Sequence, residues 1–333
     1  MAKTKNSVCP ECGDKVPAEP KGRRDFLKTL GAGAAALALA RVPAWSQEAG
    51  ATTEALIKEL YGSITADQKA MVVSPFEDAG RLKIYNAALG KKIGEAYTKP
   101  QQELVQKILR SLASDEKGWA QLSRLGTWDA SKSFEACGAN LFGDLSGKYT
   151  WVFSGHHLTI RCDGNSVEGP ALGGPLYYGH TPNGYSSNNC FLYQTESAMA
   201  AYEGLTAAQR KAATLTGTPG EGAPSIAFRK AGEAFPGMSL AELNAEQKGL
   251  VEKVMRDLLS PYRKADADEA MKVVADKGGL DKLSMAFYLD PEKAEKPDSK
   301  RPWHFWRIEG AGFVWNFRVL PHVHTFVNIS AAV

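Results

Sequence analysis

Apolar and polar residues alternate through residues 151–162 (WVFSGHHLTIRC) and 322–328 (HVHTFVN). Each stretch predicts a half-buried strand whose side chains point to opposite faces at period two. In the first, Leu158, Ile160 and Cys162 share a face with His156, which makes His156 a core residue, while His157 lies outward with Thr159 and Arg161. In the second, Val323, Thr325, Val327 and Ile329 form the apolar face and leave His322, His324, Phe326 and Asn328 on the other. Strands are also expected at 283–289, 303–309 and 312–320, so the chain ends in a meander turning at Gly310 and Gly312 and broken at Pro321. No strand is expected before about Tyr149.

Helical spacing marks 54–63, 66–74 (stopped by Pro75), 97–114, 117–125, 191–202, 206–215, 240–259 and 264–275. Thr65, Thr98, Thr206 and Asn244 each stand three residues before a glutamine, which is the spacing of a capping box. Residues 164–189 are rich in Gly, Pro, Asn and Ser and read as one long loop, whose Tyr177, Tyr178, His180 and Tyr185 could line a ligand cleft. Residues 217–224 are a Gly/Pro break, and 290–302 a charged loop suited to proteolytic nicking. The expected class is α+β: a helical N-terminal part and inserted helices packed on a mixed, mainly antiparallel sheet with a C-terminal β-meander, not a βαβ repeat.

Composition changes this picture at the N-terminus. The order G-R-R-D-F-L-K at residues 22–28, with Arg23 and Arg24, resembles a twin-arginine signal, and the apolar run at 30–40 is too short to span a bilayer. Residues 1–46 are therefore expected to be an export leader cleaved within 44–47. The Tat translocase would be its partner and the periplasm or exterior its destination, with 47–333 a single mature domain and no stable transmembrane segment. Eight of the 40 Lys and Arg and four of the 37 Asp and Glu lie in the leader, leaving a nearly neutral 32 against 33. Nucleic acid is excluded as a partner, because phosphate binding needs a basic stripe. Cys9 and Cys12 form half of a zinc ribbon without its second knuckle, and cleavage removes them. Cys137, Cys162 and Cys190 are an odd set, which allows one disulfide and leaves at least one thiol free. No G-x-G-x-x-G, P-loop, G-x-S-x-G or H-E-x-x-H is present, so the common nucleotide and hydrolase folds lose support.

The histidines carry the candidate chemistry, since four of the six sit in the two strands. An H-x-H pair on a strand brings two imidazoles to one side, the arrangement that a divalent metal such as zinc uses with a third ligand. The first expectation is a periplasmic metal-binding enzyme, a hydrolase, in which His157, His322 and His324 hold the metal. Glu196 or Glu309 would be fourth ligand or base for a metal-bound water. The second is a metal-free enzyme with a histidine base, His156 among the candidates, oriented by Glu196; Ser154 is a weak nucleophile candidate. The third is a ligand-binding or envelope-structural protein without metal. There His304, Arg161, Tyr177 and Tyr178 contact a small molecule or glycan, and Trp303, Trp306 and Trp315 add aromatic surface unless they are packing.

A family resemblance follows from the order of R-x-x-x-Y at 81, T-x-x-Q-x-x-x-x-x-x-I-L at 98, W-x-F-S-G-H-H-L at 151, P-L-Y-Y-G at 175, L-x-x-x-E at 192, L-T-x-x-Q-R at 205, H-F-W-R-I-E-G at 304 and H-V-H-T at 322. The chain resembles the bacterial family of unknown function DUF3500 over nearly all of its mature length. The resemblance implies no activity; its matching polar residues are His156, His157, Glu196, His304, His322 and His324. Such sequences usually carry a glutamate where this chain has Asn316, and an Arg-Asp and acidic-Tyr/Phe-Gly tail where it ends at Val333. A catalytic role for either would leave this chain inactive or altered.

Overall fold

A computed structural model describes residues 52–229, 233–289 and 302–333. The proposed leader with Arg23, Arg24, Cys9 and Cys12 lies outside the described residues, as does most of the charged loop at 290–302. Eleven strands form one mixed sheet: β1 (Val73–Ser74), β2 (Gly138–Gly143), β3 (Tyr149–Gly155), β4 (Leu158–Cys162), β5 (Leu176–His180), β6 (Thr214–Thr216), β7 (Met238–Ser239), β8 (Ser284–Leu289), β9 (Phe305–Gly310), β10 (Phe313–Arg318) and β11 (Val323–Ile329). Their order is β1-β2-β3-β4-β5-β11-β10-β9-β8-β6, with β7 beside β8. Among the described residues only β1–β2 and β6–β8 are parallel. The α+β architecture and the C-terminal meander are as expected.

Among the described residues ten α-helices accompany the sheet: α1 (Thr53–Ser63), α2 (Ala66–Val72), α3 (Ile93–Ala96), α4 (Lys99–Leu112), α5 (Glu116–Leu122), α6 (Leu192–Glu203), α7 (Ala207–Ala213), α8 (Ala223–Ile226), α9 (Ala245–Leu259) and α10 (Lys264–Asp276). Capping boxes open α2, α4, α7 and α9 at Thr65, Thr98, Thr206 and Asn244, each glutamine reaching back to the cap N–H. In α4 the apolar stripe Val105, Ile108, Leu109 and Leu112 is buried, at the spacing that faces one side of a helix. It joins the main core with α1, α6 and α9 against Trp151, Phe153, Tyr178, Trp306, Trp315, Val323 and Val327. Among the described residues no helix is long and apolar enough to cross a membrane.

The opposite face of the sheet is covered by irregular chain instead of helices. Thr159 Oγ1 donates to Tyr85 O at 2.7 Å, and Leu89 N–H donates to Ser154 Oγ at 2.7 Å. Asn328 Nδ2 donates to Ile226 O at 2.8 Å. Segment 76–92 thus lies over β3 and β4, and the segment around α8 lies over β10 and β11. This cover explains why alternation along β3 and β4 does not translate into exposure, since every residue of both strands is buried.

Several expectations need correction. The stretch 151–162 is not one strand: β3 ends at Gly155, His156 and His157 make a turn, and β4 begins at Leu158. His157 does lie on the Thr159 side, but it is fully buried, not outward. The loop expected at 164–189 contains β5, which runs between β4 and β11 in the middle of the sheet. Its five residues are too short, and too closely flanked by Gly and Pro, to register as a strand. The sheet also begins before Tyr149, with β1 and β2; GANLFG has small residues at both ends and little β-branching. Residues 214–216 leave the helix to form β6, and 240–242 form a separate 3₁₀ turn before α9. Cys137, Cys162 and Cys190 are all free. Trp303, Trp306 and Trp315 are fully buried and present no aromatic surface.

Candidate functional site

The site begins at the β3–β4 turn. His157 adopts φ +57°, a left-handed conformation that costs a non-glycine residue about 1–2 kcal/mol. The turn is held there from several sides. His157 N–H donates to Asn86 Oδ1 at 2.8 Å, and His157 O accepts from Gly179 N–H at 3.0 Å. His156 N–H donates to Ser131 Oγ at 2.8 Å, and the buried Arg124 donates to His156 O at 3.2 Å. Strain so over-determined is characteristic of functional positions.

Strand pairing then supplies the other imidazoles. His324 pairs with Gly179 on one side and with Arg318 on the other. Gly179 has no side chain between them, and a Cβ there would stand 2.9 Å from His324 Cδ2 and 3.3 Å from His157 Cγ. The ring from the β3–β4 turn and the ring from β11 can meet across β5 because that position is glycine.

Three Nε2 atoms converge. His322 Nε2 lies 3.2 Å from His157 Nε2 and 2.9 Å from His324 Nε2. Behind them stand carboxylates: Asp129 Oδ2 is 2.7 Å from His157 Nδ1, and Glu221 Oε1 is 2.7 Å from His324 Nδ1. A carboxylate fixes the proton on Nδ1, so the Nε2 atoms of His157 and His324 present lone pairs. Arg318 closes the fourth side, with Nη2 at 2.9 Å from His324 Nε2 and 3.2 Å from His322 Nε2. Its Nη1 donates to Glu221 Oε2 at 2.6 Å and its Nε to His322 O at 3.2 Å. The Tyr177 ring meets His324 edge-on at 5.3 Å, and its hydroxyl donates to the same Asn86 oxygen that holds the turn.

Electrostatics keep the three imidazoles neutral. Burial takes His157 down to about 4 in spite of Asp129. Burial, reinforced by the Arg318 and His157 charges, takes His322 down to about 2, and burial with Arg318 holds His324 well below the usual range. Burial works to raise the Asp129 carboxyl, but the hydrogen bond from His157 and the charges of His157, Arg124 and His180 outweigh it, leaving it below its ordinary value. Burial raises the Glu221 carboxyl against the pull of Arg318. Neutral imidazole is the form that ligates metal.

The structure therefore brings together His157, His322 and His324, with Tyr177 beside them, and adds Asp129, Glu221 and Arg318. Asp129, His156 and His157 form an overlapping second group; His156 Nδ1 accepts from Ala130 N–H at 3.1 Å. The remaining candidates are elsewhere. Glu196 is exposed on α6 and is not among the converging groups. Glu309 is buried at the far end of the meander, bonded to Arg307 and Arg229. Arg161 donates to the carbonyls of Arg81, Lys83 and Pro175. The Tyr178 hydroxyl bonds Leu258 O on the helical side at 2.8 Å. His304 meets β8 and Val319 through its backbone. His180 stands 3.9 Å from Asp129 through Nε2. Of the residues missed, Arg318 was within reach of sequence reasoning, because the L-P turn folds β10 back onto β11 and sets Arg318 opposite His324. Asp129 and Glu221 lie in irregular segments whose placement no periodicity reveals.

Fold and site together define an α+β protein with a buried tris-imidazole centre, each outer ring nitrogen of two of its histidines tied to a carboxylate. The chain belongs to the family described as Protein of unknown function (DUF3500), whose model matches residues 46–329. No curated protein and no solved structure matches it.

Proposed function

We propose that the protein is a metal-binding enzyme of the hydrolase type, in which His157, His322 and His324 hold a divalent transition metal such as zinc through Nε2. One observation carries this: three buried imidazoles converge through Nε2, 2.9 and 3.2 Å apart, and carboxylates on Nδ1 leave His157 and His324 with free Nε2 lone pairs. Nitrogens around a tetrahedral zinc with bonds of about 2.0–2.1 Å stand about 3.3 Å from one another. A metal held there would supply Lewis acidity and an acidified water. Asp129 and Glu221 orient two of the rings and raise their basicity. Arg318, which closes the fourth side, faces the position where negative charge would develop; Glu196 and Glu309 lie outside the converging groups and take no part as fourth ligand or base. Export through the Tat translocase to the periplasm or exterior is part of the proposal, supported by the G-R-R-D-F-L-K order alone.

A second arrangement is favoured by one contact. The Arg318 Nη2 at 2.9 and 3.2 Å satisfies two of the lone pairs without metal, which would make the centre a metal-free anion receptor. Elemental analysis of residues 47–333, purified without chelator beside a His322→Ala, His324→Ala double variant, separates the two. Near-stoichiometric metal that disappears in the variant supports the metal centre. A wild-type protein that stays metal-free after reconstitution rules it out.

A further inference from the structure

Glu221 differs from every other charged member of the centre. Asp129 is 4% exposed at its side chain and Arg318 6%, whereas Glu221 is 34% exposed. It rides on a segment in which Gly217, Gly220 and Gly222 all have positive φ, a chain suited to changing course. Apart from the Glu221 carboxylate itself, that segment is tied to the sheet by Gly217 N–H to Leu289 O at 3.0 Å and by Asn316 Nδ2 to Gly220 O at 3.3 Å. Its carboxylate is the only acid on Arg318 among the described residues. Beside it, Asn316 Oδ1 is fully buried and has no hydrogen-bond partner among the described residues. A buried acceptor left unpaired is costly and marks a place where a donor belongs. Asn316 and Arg318 are two positions apart on β10 and so point to the same face, about 7 Å apart along the strand.

We propose, building on the metal-centre reading above, that Glu221 is an internal stand-in for the ligand's own carboxylate, and that the site takes a small carboxylate carrying a hydroxyl or ammonium donor close to it. The ligand carboxylate displaces Glu221 from Arg318, and its neighbouring donor pairs with Asn316 Oδ1. Arg318 selects the planar anion, which a guanidinium matches in shape as well as charge. The Glu221 segment moves aside to admit it.

The test is calorimetric titration of the full chain with acetate, glycolate and inorganic phosphate at constant ionic strength, with and without one equivalent of zinc. Glu221→Gln keeps an acceptor for His324 Nδ1 and removes the competing charge. Glycolate should bind Glu221→Gln about tenfold more tightly than wild type, and more tightly than acetate, with the preference lost in Asn316→Leu. Equal binding to wild type and Glu221→Gln overturns the proposal, and phosphate binding above glycolate overturns the carboxylate assignment. Hydrogen exchange of residues 217–222 in the unmodified chain should accelerate on adding glycolate; no change contradicts displacement even if a variant fails to fold. Glycolate binding in zinc-free protein that never takes up metal would sink the metal centre alone, while metal uptake without any carboxylate response would sink this proposal alone.

Discussion

Two clusters of buried charge sit on the same loop-covered face of the sheet, at opposite ends of the C-terminal meander. At one end Glu309 accepts from Arg307 and Arg229, and Arg307 Nη1 donates to Ser225 O at 3.1 Å. Opposite charges there meet directly. At the other end Arg318 meets two histidine nitrogens and a glutamate borrowed from an exposed segment, while three like atoms face one another. Burial of charge is common to both, so burial does not mark the site. Convergence of three imidazole nitrogens on one guanidinium, with no carboxylate among them, does.

The comparison breaks most visibly at Glu309. Glu309→Ala strands Arg307, a residue only 4% exposed, and should cost about 3–5 kcal/mol of stability in urea unfolding while leaving metal content unchanged. A loss of metal in that variant would erase the distinction between the two ends. Gly179→Ala should lower stability and metal content together: its Cβ overlaps the Val323 carbonyl oxygen and presses on both rings, at a cost of about 1–3 kcal/mol or more. Asp129→Asn keeps the shape and removes the charge behind His157. Zinc affinity should fall about 10–100-fold in competition with a chromophoric chelator, and unchanged affinity would show that His157 is not a ligand.

Lowering the pH should expose the same contrast through stability. His157 and His322 have folded values near 4 and 2, below the unfolded value of about 6.5, so their stabilising contribution is complete above that pH. As pH falls from about 6.5 toward 4 the unfolded chain takes up protons that the folded chain refuses. Each histidine then removes about 1.4 kcal/mol per pH unit. Thermal unfolding of metal-free protein should steepen in this window, and the His322→Ala, His324→Ala variant should flatten it; identical slopes would contradict the buried neutral centre.

Periodicity made the meander and the four capped helices legible, the strands through local alternation and each helix through its spacing and a cap with its glutamine. It also placed His322 and His324 on one face and named His157 as their partner. It missed β5, whose five residues follow Gly173, Gly174 and Pro175 and include Gly179, and so left Tyr177 in a loop. The exposure of His157 depended on segment 76–92 folding over β4, a tertiary event with no local signature. Asp129 and Glu221 escaped for the same reason. Both lie in irregular chain and acquire meaning only from the rings they reach. Glu196 and Glu309 looked suitable because carboxylate chemistry was needed and they stood in recognisable motifs, yet helix and strand direction carry them elsewhere.

X-ray absorption at the zinc edge of the zinc-loaded chain tests the central claim most directly. The account requires three imidazole nitrogens at about 2.0–2.1 Å with a light atom completing the shell, and loss of one imidazole in His157→Ala. A shell of oxygens, any sulfur, or a spectrum indifferent to His157 would contradict it.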